Sequence, residues 1–318
     1  MKIKFIGFMI VFSFIGFILA GCSSTSESDT TSADKDNGEQ ESSSEQAAYP
    51  NDDLLVDIEW VKENLDNENV RFVDMRGDDY EGGHIPGAVS ATWQDVNDPN
   101  NPVEGFLLPA DPFSSFIQEL GINEDTTVVA YDAGNSMSAA RLFYALEYYG
   151  KENVKILNGG FTAWLNAGEE VSTEAPTIEK GNFIAEAQKQ LVSTKEEVES
   201  KIDKEDTVLL DVRSPEEYSG DDVRADRGGH IPNAINLEWT TAMTEKDGVP
   251  VFKSSEELAN QFEETGVAQD KTIVPYCQTN ARGAHTYFVL RLMGYDQVKP
   301  YEGSWAEWGN DPNTPIES

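Results

Sequence analysis

Cysteine is scarce in this chain: 318 residues hold two, Cys22 and Cys277. Two thiols allow at most one internal disulfide, and none if either is engaged elsewhere. Basic residues are also few, with 23 Lys and Arg against 58 Asp and Glu, a net charge of −35. Such a field excludes nucleic acid and bare anionic headgroups as partners. It also repels small anions, so an anionic substrate would need positive charge concentrated at its site. Apolar residues are not lacking. A hydrophobic fraction of 39% with 10% aromatics supports real cores, and the length suits two ordinary domains.

The N-terminus reads as a targeting segment. Lys2 and Lys4 precede an apolar run over residues 5–20, followed by Leu19-Ala20-Gly21-Cys22. That tetrapeptide resembles the lipobox of bacterial lipoproteins. The resemblance implies a signal peptide over residues 1–21, cleavage before Cys22 and a diacylglyceryl thioether on its sulfur, usually with N-acylation. Two or three acyl chains hold a protein stably at a membrane. An uncleaved anchor with an incidental cysteine is the alternative. Either way the expected location is extracytoplasmic, and with cleavage the protein is lipid-anchored to the bacterial cell membrane. Residues 22–49 are expected to form an acidic, Ser-rich, disordered tether, because residues 23–48 carry seven acids, one Lys and no large apolar side chain. Its reach as a flexible coil is on the order of 28 Å. With Cys22 lipidated, Cys277 is an unpaired thiol in an exported protein, which marks it for reactivity; the plain alternative is a buried, inert side chain.

The remainder repeats once. VRFVDMR, GGHIPGAV, TTVVAYDAG and VKILNGGFTAW recur in order as TVLLDVR, GGHIPNAI, KTIVPYCQT and VKPYEGSWAEW. The offset is 146 at His84/His230, 145 at Asp132/Cys277 and 144 at Trp164/Trp308. This is a tandem duplication, with one domain over 50–175, a linker over 176–190 and a second domain over 191–312. Short β-branched runs such as 208–210 and 272–274 alternate with helical patterns, so each half is expected to be α/β with a mainly parallel sheet flanked by helices. Ser193 to Glu196 has the form of a capping box. Residues 284–293 read as a helix stopped by Gly294. Pro275 is awkward inside its strand and is best tolerated at the end. Cys277 falls at a strand's carboxyl end, where sites form in such sheets.

The ordered set D-x-R (Asp74/Arg76 and Asp211/Arg213), GGHIP, loop, and NGGFTAW or EGSWAEW resembles the tandem rhodaneses, the sulfurtransferases, over about residues 50–310. The resemblance implies that a cysteine in the C-terminal domain becomes a persulfide and that the N-terminal domain has lost its own. Asp132, the counterpart of Cys277, fits that pattern. The loop chemistry supports it separately. Consecutive backbone N–H groups capped by a helix N-terminus form a cradle for negative charge, which favours a thiolate. Cys277, Gln278, Thr279, Asn280, Ala281 and Arg282 make a C-x4-R loop, shorter than the C-x5-R of related phosphatases and arsenate reductases. The short loop suits a persulfide better than a tetrahedral oxyanion.

The implied reaction is ping-pong, from thiosulfate to cyanide or a thiol acceptor, with Cys277 catalytic and residues 278–282 holding donor and persulfide. No metal and no organic cofactor is needed, and a monomer is expected. The donor is less determined than the reaction. Gln278-Thr279 replaces the Arg-Lys pair that animal rhodaneses associate with thiosulfate, and the mercaptopyruvate loop C-G-S-G-V-T is also absent. Asn280 replaces a common Gly, though Asn tolerates left-handed backbone. The alternatives are a 3-mercaptopyruvate sulfurtransferase and a persulfide-binding module without turnover. His84, His230, Trp164 and Trp308 recur in the half without a thiol, so structural roles are expected. His285, opposite Arg141, reads as surface or packing rather than a base. Asp211 and Arg213 are possible site support, with a structural ion pair as the plain reading. Arg224, Arg227 and Lys253 are possible donor-side cations, with solvated surface as the default. The Asp132 loop, one residue longer, reads as catalytically lost.

Overall fold

The computed structural model describes residues 48–318; the expected signal peptide, Cys22 and nearly all of the expected tether lie outside them. The first domain has strands β1 (Leu55–Val56), β2 (Val70–Asp74), β3 (Val89–Ser90), β4 (Thr127–Tyr131) and β5 (Val154–Leu157). They form one parallel sheet in the order β1-β5-β4-β2-β3. Strand β4 reads Thr-Val-Val-Ala-Tyr without polar alternation because both of its faces are covered. The covering helices are α1 (Ile58–Asn64), α2 (Ala110–Glu119), α3 (Met137–Tyr148) and α4 (Gly160–Asn166).

The second domain repeats this plan with strands β6 (Thr207–Asp211), β7 (Ile235–Asn236), β8 (Met243–Lys246), β9 (Val249–Phe252) and β10 (Thr272–Tyr276). Its helices are α5 (Lys195–Lys201), α6 (Pro215–Ser219), α7 (Ser255–Thr265), α8 (Ala281–Leu292) and α9 (Ser304–Trp308). The parallel order is β10-β6-β7, and bridges Ile273↔Val298 and Ser193↔Tyr301 continue it as in the first sheet. Pro275 is inside β10, next to its end, and pairs with Leu210. Its missing N–H faces the other edge, where Ile273 donates to Gln297 and Tyr301 donates to the Pro275 carbonyl. The Lys299 carbonyl, which a non-proline there would have met, instead accepts from the Ser193 hydroxyl at 3.1 Å. That engagement also moves the capping box one residue on, to Thr194 and Glu197, where such a pair stabilises a helix start by about 1 kcal/mol. Helix α8 begins at Ala281, three residues before the expected start, so Arg282 belongs to its first turn rather than to a free loop.

The two domains share a core. Helices α3 and α8 face each other, with Phe143 edge-on to Phe288 at 4.9 Å and Tyr144 edge-on to Tyr287 at 5.2 Å; such pairs add about 1 kcal/mol each beyond area burial. Each domain also extends an arm over the other. In the second it is the β8–β9 hairpin, turned at Asp247-Gly248 with both residues left-handed. Asn166 donates to the Asp247 carbonyl and Phe252 N–H to Asn158, which seats the hairpin on the first domain. In the first it is the stretch from Asn97 to Leu107, closed by an antiparallel bridge between those two residues.

Three expected boundaries differ from the structure. Tyr49 is docked rather than part of a tether, donating its hydroxyl to the Lys253 carbonyl. Residues 176–190 are laid against the first domain, with Phe183 fully buried and its N–H on the Ile122 carbonyl. The second domain runs past 312, because Glu317 pairs with His230 as Ser172 pairs with His84. Among the described residues no helix is long and apolar enough to cross a membrane.

Candidate active site

The repeated motifs build the same frame twice. Tyr80 stacks on His84 at 3.7 Å and Tyr218 on His230 at 3.6 Å, and each ring bonds the tyrosine's own carbonyl through Nδ1. Trp164 and Trp308 are buried and bond main-chain carbonyls through Nε1. Asp74 holds Arg76, which reaches the Gly83 carbonyl, just as Asp211 holds Arg213, which reaches that of Gly229. Asp211–Arg213, like Asp74–Arg76 in the first domain, is therefore a clasp between strand end and GGH turn. Arg213 also lies over the Trp305 ring at 4.3 Å.

The two strand-to-helix loops match from their last residue into the helix, the first loop being one residue longer. Each ends on a left-handed residue, Ser136 (φ 61°) or Asn280 (φ 57°), and the next residue starts the helix. In the first domain the Asp132 carboxylate turns back into this loop and accepts four main-chain N–H bonds. They come from Gly134 at 2.9 Å, Ser136 at 3.0 Å, Ser138 at 3.0 Å and Ala139 at 3.3 Å. Burial raises the Asp132 pKa above the ordinary value, and the four donors oppose it. In the second domain the matching donors are the N–H groups of Asn280, Arg282 and Gly283. None of them has a protein acceptor among the described residues. Cys277, 1% exposed, occupies the position of Asp132.

Neighbours fix the thiol loop from three sides. The Cys277 N–H donates to Ser304 Oγ at 3.3 Å, and the Cys277 carbonyl accepts from Trp305 N–H. Ser304 is left-handed (φ 49°) where the first domain has Gly160 (φ 52°). Keeping a side chain in that backbone costs about 1–3 kcal/mol, and the hydroxyl in return holds the Cys277 amide. Arg282 is gripped bidentately by Glu217, at 2.5 and 2.9 Å, and lies against the Cys277 sulfur. Burial works against the Arg282 charge, but Glu217 and Cys277 outweigh it and its pKa is raised. Burial likewise pushes Glu217 up, and Arg282, the Ser214 N–H and Arg224 overcome it, leaving the carboxyl below its usual range. The third side comes from the first domain. Gly105 (φ 99°) presses on the loop so closely that a methyl group there would overlap the Thr279 carbonyl.

The remaining candidates separate. Gln278 donates to the Arg224 carbonyl at 3.0 Å, and the Arg224 guanidinium, 53% exposed, lies 3.7 Å from Glu217; it is a cation at the rim. Arg227 is no donor-side cation, because its guanidinium is spent on the carbonyls of Trp308, Asp311 and Thr314. Lys253 reaches Gln261. His285 is fully buried, edge-on to Trp239 at 5.0 Å and beside Phe252. Burial drives its pKa down to about 3 against the Asn135 backbone, so it is a neutral packing residue rather than a base. Glu217, Glu302 and Ser304 escaped sequence reading. The signal lay in the repeat itself: Glu302 and Ser304 stand where the other half has Asn158 and Gly160.

A buried thiol stands at a strand's end, beside a guanidinium and under peptide N–H groups that have no protein acceptor among the described residues, an arrangement suited to holding negative charge. The family model for the rhodanese-like domain matches residues 57–167 and 194–311. The chain belongs to the rhodanese family, the sulfurtransferases. The sulfur carrier protein TtuD of Thermus thermophilus is 37% identical over 84% of this chain and 98% of its own length. A thiosulfate sulfurtransferase of Azotobacter vinelandii is 36% identical over 75% of this chain and 87% of its own. Among solved structures, the 3-mercaptopyruvate sulfotransferase SseA of Escherichia coli is similar at TM-score 0.72 and 28% identity, over 79% of this chain and 98% of SseA.

Proposed function

We propose that the protein is a thiosulfate sulfurtransferase that carries sulfur on Cys277. The Cys277 thiolate attacks the outer sulfur of thiosulfate; the Cys–S–S bond forms, the S–S bond of the donor breaks, and sulfite leaves with its electron pair. Cyanide or a thiol then attacks the terminal sulfur and returns the thiolate. The observation that carries this reading is the set of unpaired N–H groups around Cys277, whose partners in the first domain already hold a carboxylate. A persulfide's terminal charge is the acceptor they would serve. Arg282 adds cationic charge beside the sulfur within a protein of net charge −35. The Azotobacter relative supports thiosulfate as donor.

Two other readings have support. Likeness to SseA favours 3-mercaptopyruvate as donor, which would release pyruvate in place of sulfite. The name of TtuD favours a carrier that holds sulfur and delivers it to another protein. Intact mass after thiosulfate treatment tests the core of the proposal: wild type gains one sulfur atom and Cys277→Ser gains none. Equal masses in both would overturn it. Turnover with each donor, and its absence with cyanide, separates the three. The lipobox over residues 19–22 supports anchoring at the outer side of the cytoplasmic membrane. Cys22→Ala should then abolish palmitate labelling and release the protein from the membrane fraction, and retention of both would sink that part.

A further inference from the structure

Arg141 is fully buried on helix α3 of the first domain, where it bonds that domain's own arm and one carboxylate of the second domain. Its Nε and Nη2 donate to Asn97 Oδ1 at 3.1 and 2.7 Å, and Nη2 also to the Gly105 carbonyl. The same Nη2 meets Glu302 Oε1 at 3.0 Å, across the domain boundary. Glu302 is buried, takes the Leu107 N–H on that same oxygen at 3.0 Å, and receives Asn280 Nδ2 on the other at 2.8 Å. Asn280 is the left-handed residue that aims the loop's N–H groups between Cys277 and Arg282.

We propose that Arg141 is a positioning residue for sulfur transfer: through Glu302 and Asn280 it holds the Cys277 loop in the shape that presents its N–H groups to the persulfide. The proposal rests on the sulfur-transfer reading of that loop. Arg141 itself does not touch the sulfur. Its Asn97 and Gly105 partners belong to the arm that presses on Thr279, so one guanidinium fixes both the arm above the loop and the carboxylate beside it.

The reverse direction gives the contrast that separates this from domain glue. His285 occupies the matching place on α8 and faces the Asp132 loop. It is neutral, aromatic rings surround it, and its polar approach to that loop is to the Asn135 backbone. From the opposite domain the Asp132 loop thus meets a neutral ring and, among the described residues, no ion pair, whereas the thiol loop is tied by a buried ion pair. Buried pairs stabilise little compared with apolar replacements of the same size, and their use is to specify one arrangement. The interface already has apolar packing in Phe143 and Phe288 to hold it together.

The test uses the full chain with Arg141→Met, Arg141→Lys, Glu302→Gln and the double variant Arg141→Met/Glu302→Gln. Steady-state rates with thiosulfate and cyanide, the alkylation rate of Cys277 by iodoacetamide, and thermal unfolding are measured together. Arg141→Met should lower kcat about tenfold or more with KM changed less than about threefold, and Arg141→Lys should recover part of the loss. The double variant removes both charges, so it should fold at least as well as Arg141→Met while kcat stays low. Alkylation should change about threefold or more in each Met variant. Unchanged kcat per folded molecule, with loss confined to thermal stability, would overturn the proposal. If wild type fails to turn over thiosulfate, the thiosulfate reading is what fails. The alkylation rates then still decide the relay, and equal rates reject it.

Discussion

The two strand-to-helix loops share a frame, a left-handed hinge and a helix start, yet one is filled and the other is not. Asp132 supplies its own anion, and four peptide N–H groups close on it. Cys277 supplies a sulfur with no oxygens to reach back, and the matching N–H groups have no protein acceptor among the described residues. The comparison shows that the fold makes the anion cradle whatever the side chain, and that chemistry is then added by few residues. Those are the thiol, the Arg282–Glu217 pair beside it, and the Ser304 hydroxyl that the first domain lacks at Gly160. A carboxylate in place of the thiol leaves the loop's structure intact, because it satisfies the same donors.

The largest expected effect comes from moving the thiol to the other loop. In Cys277→Ser/Asp132→Cys the first loop has a cysteine under the same kind of cradle, but Ser138 stands where Arg282 would be and the loop is one residue longer. No sulfur should be gained on thiosulfate treatment, as read by intact mass. A gain of one sulfur would show that the cradle alone suffices and that the guanidinium is dispensable. Next is Arg282→Met. It removes the cation beside the sulfur and strands Glu217, which is 1% exposed, so a drop of about 10²-fold in kcat/KM is expected with marked destabilisation. Adding Glu217→Gln retires the stranded charge and should recover stability but not activity. Recovery of activity as well would mean that Arg282 matters only as a partner for Glu217.

Much of this contrast was legible in the chain, and the reasons for the rest are physical. The duplicated D-x-R, GGHIP and Trp elements revealed two domains because each motif closes contacts within its own domain. The α/β class followed from apolar runs such as 208–210, which a two-sided parallel strand requires. What remained hidden depends on contacts between domains. Nothing local marks Arg141 as the partner of Glu302, which lies 161 residues away, or Gly105 as the residue above Thr279. Arg227 read as a surface cation because its carbonyl partners at the C-terminus leave no side-chain signature. The helix start at Ala281 was missed because the loop's polar letters, Gln278 to Asn280, give no periodicity with which to count. Pro275 read as misplaced because the hydroxyl that compensates it comes from Ser193, in another element.

The smallest effect is also the sharpest comparison, since the carboxylates beside the two loops titrate in opposite directions. Glu217 in the fold lies below its ordinary value of 4.5, against the pull of burial, because Arg282, Ser214 and Arg224 favour its charge. It therefore contributes stability that is present above the ordinary value and is lost as pH falls through the depressed one. Asp132 lies above its ordinary value of 3.8, because burial outweighs its four N–H donors. Its contribution is present below the ordinary value and is lost as pH rises through the raised one. Urea unfolding of wild type, Glu217→Gln and Asp132→Asn from pH 3 to pH 7 reads both. Wild type should gain on Glu217→Gln as pH rises and gain on Asp132→Asn as pH falls. Slopes of the same sign for both variants would mean that the loops do not differ in how they treat a buried negative charge, and the distinction between a filled cradle and one kept for sulfur would lose its electrostatic basis.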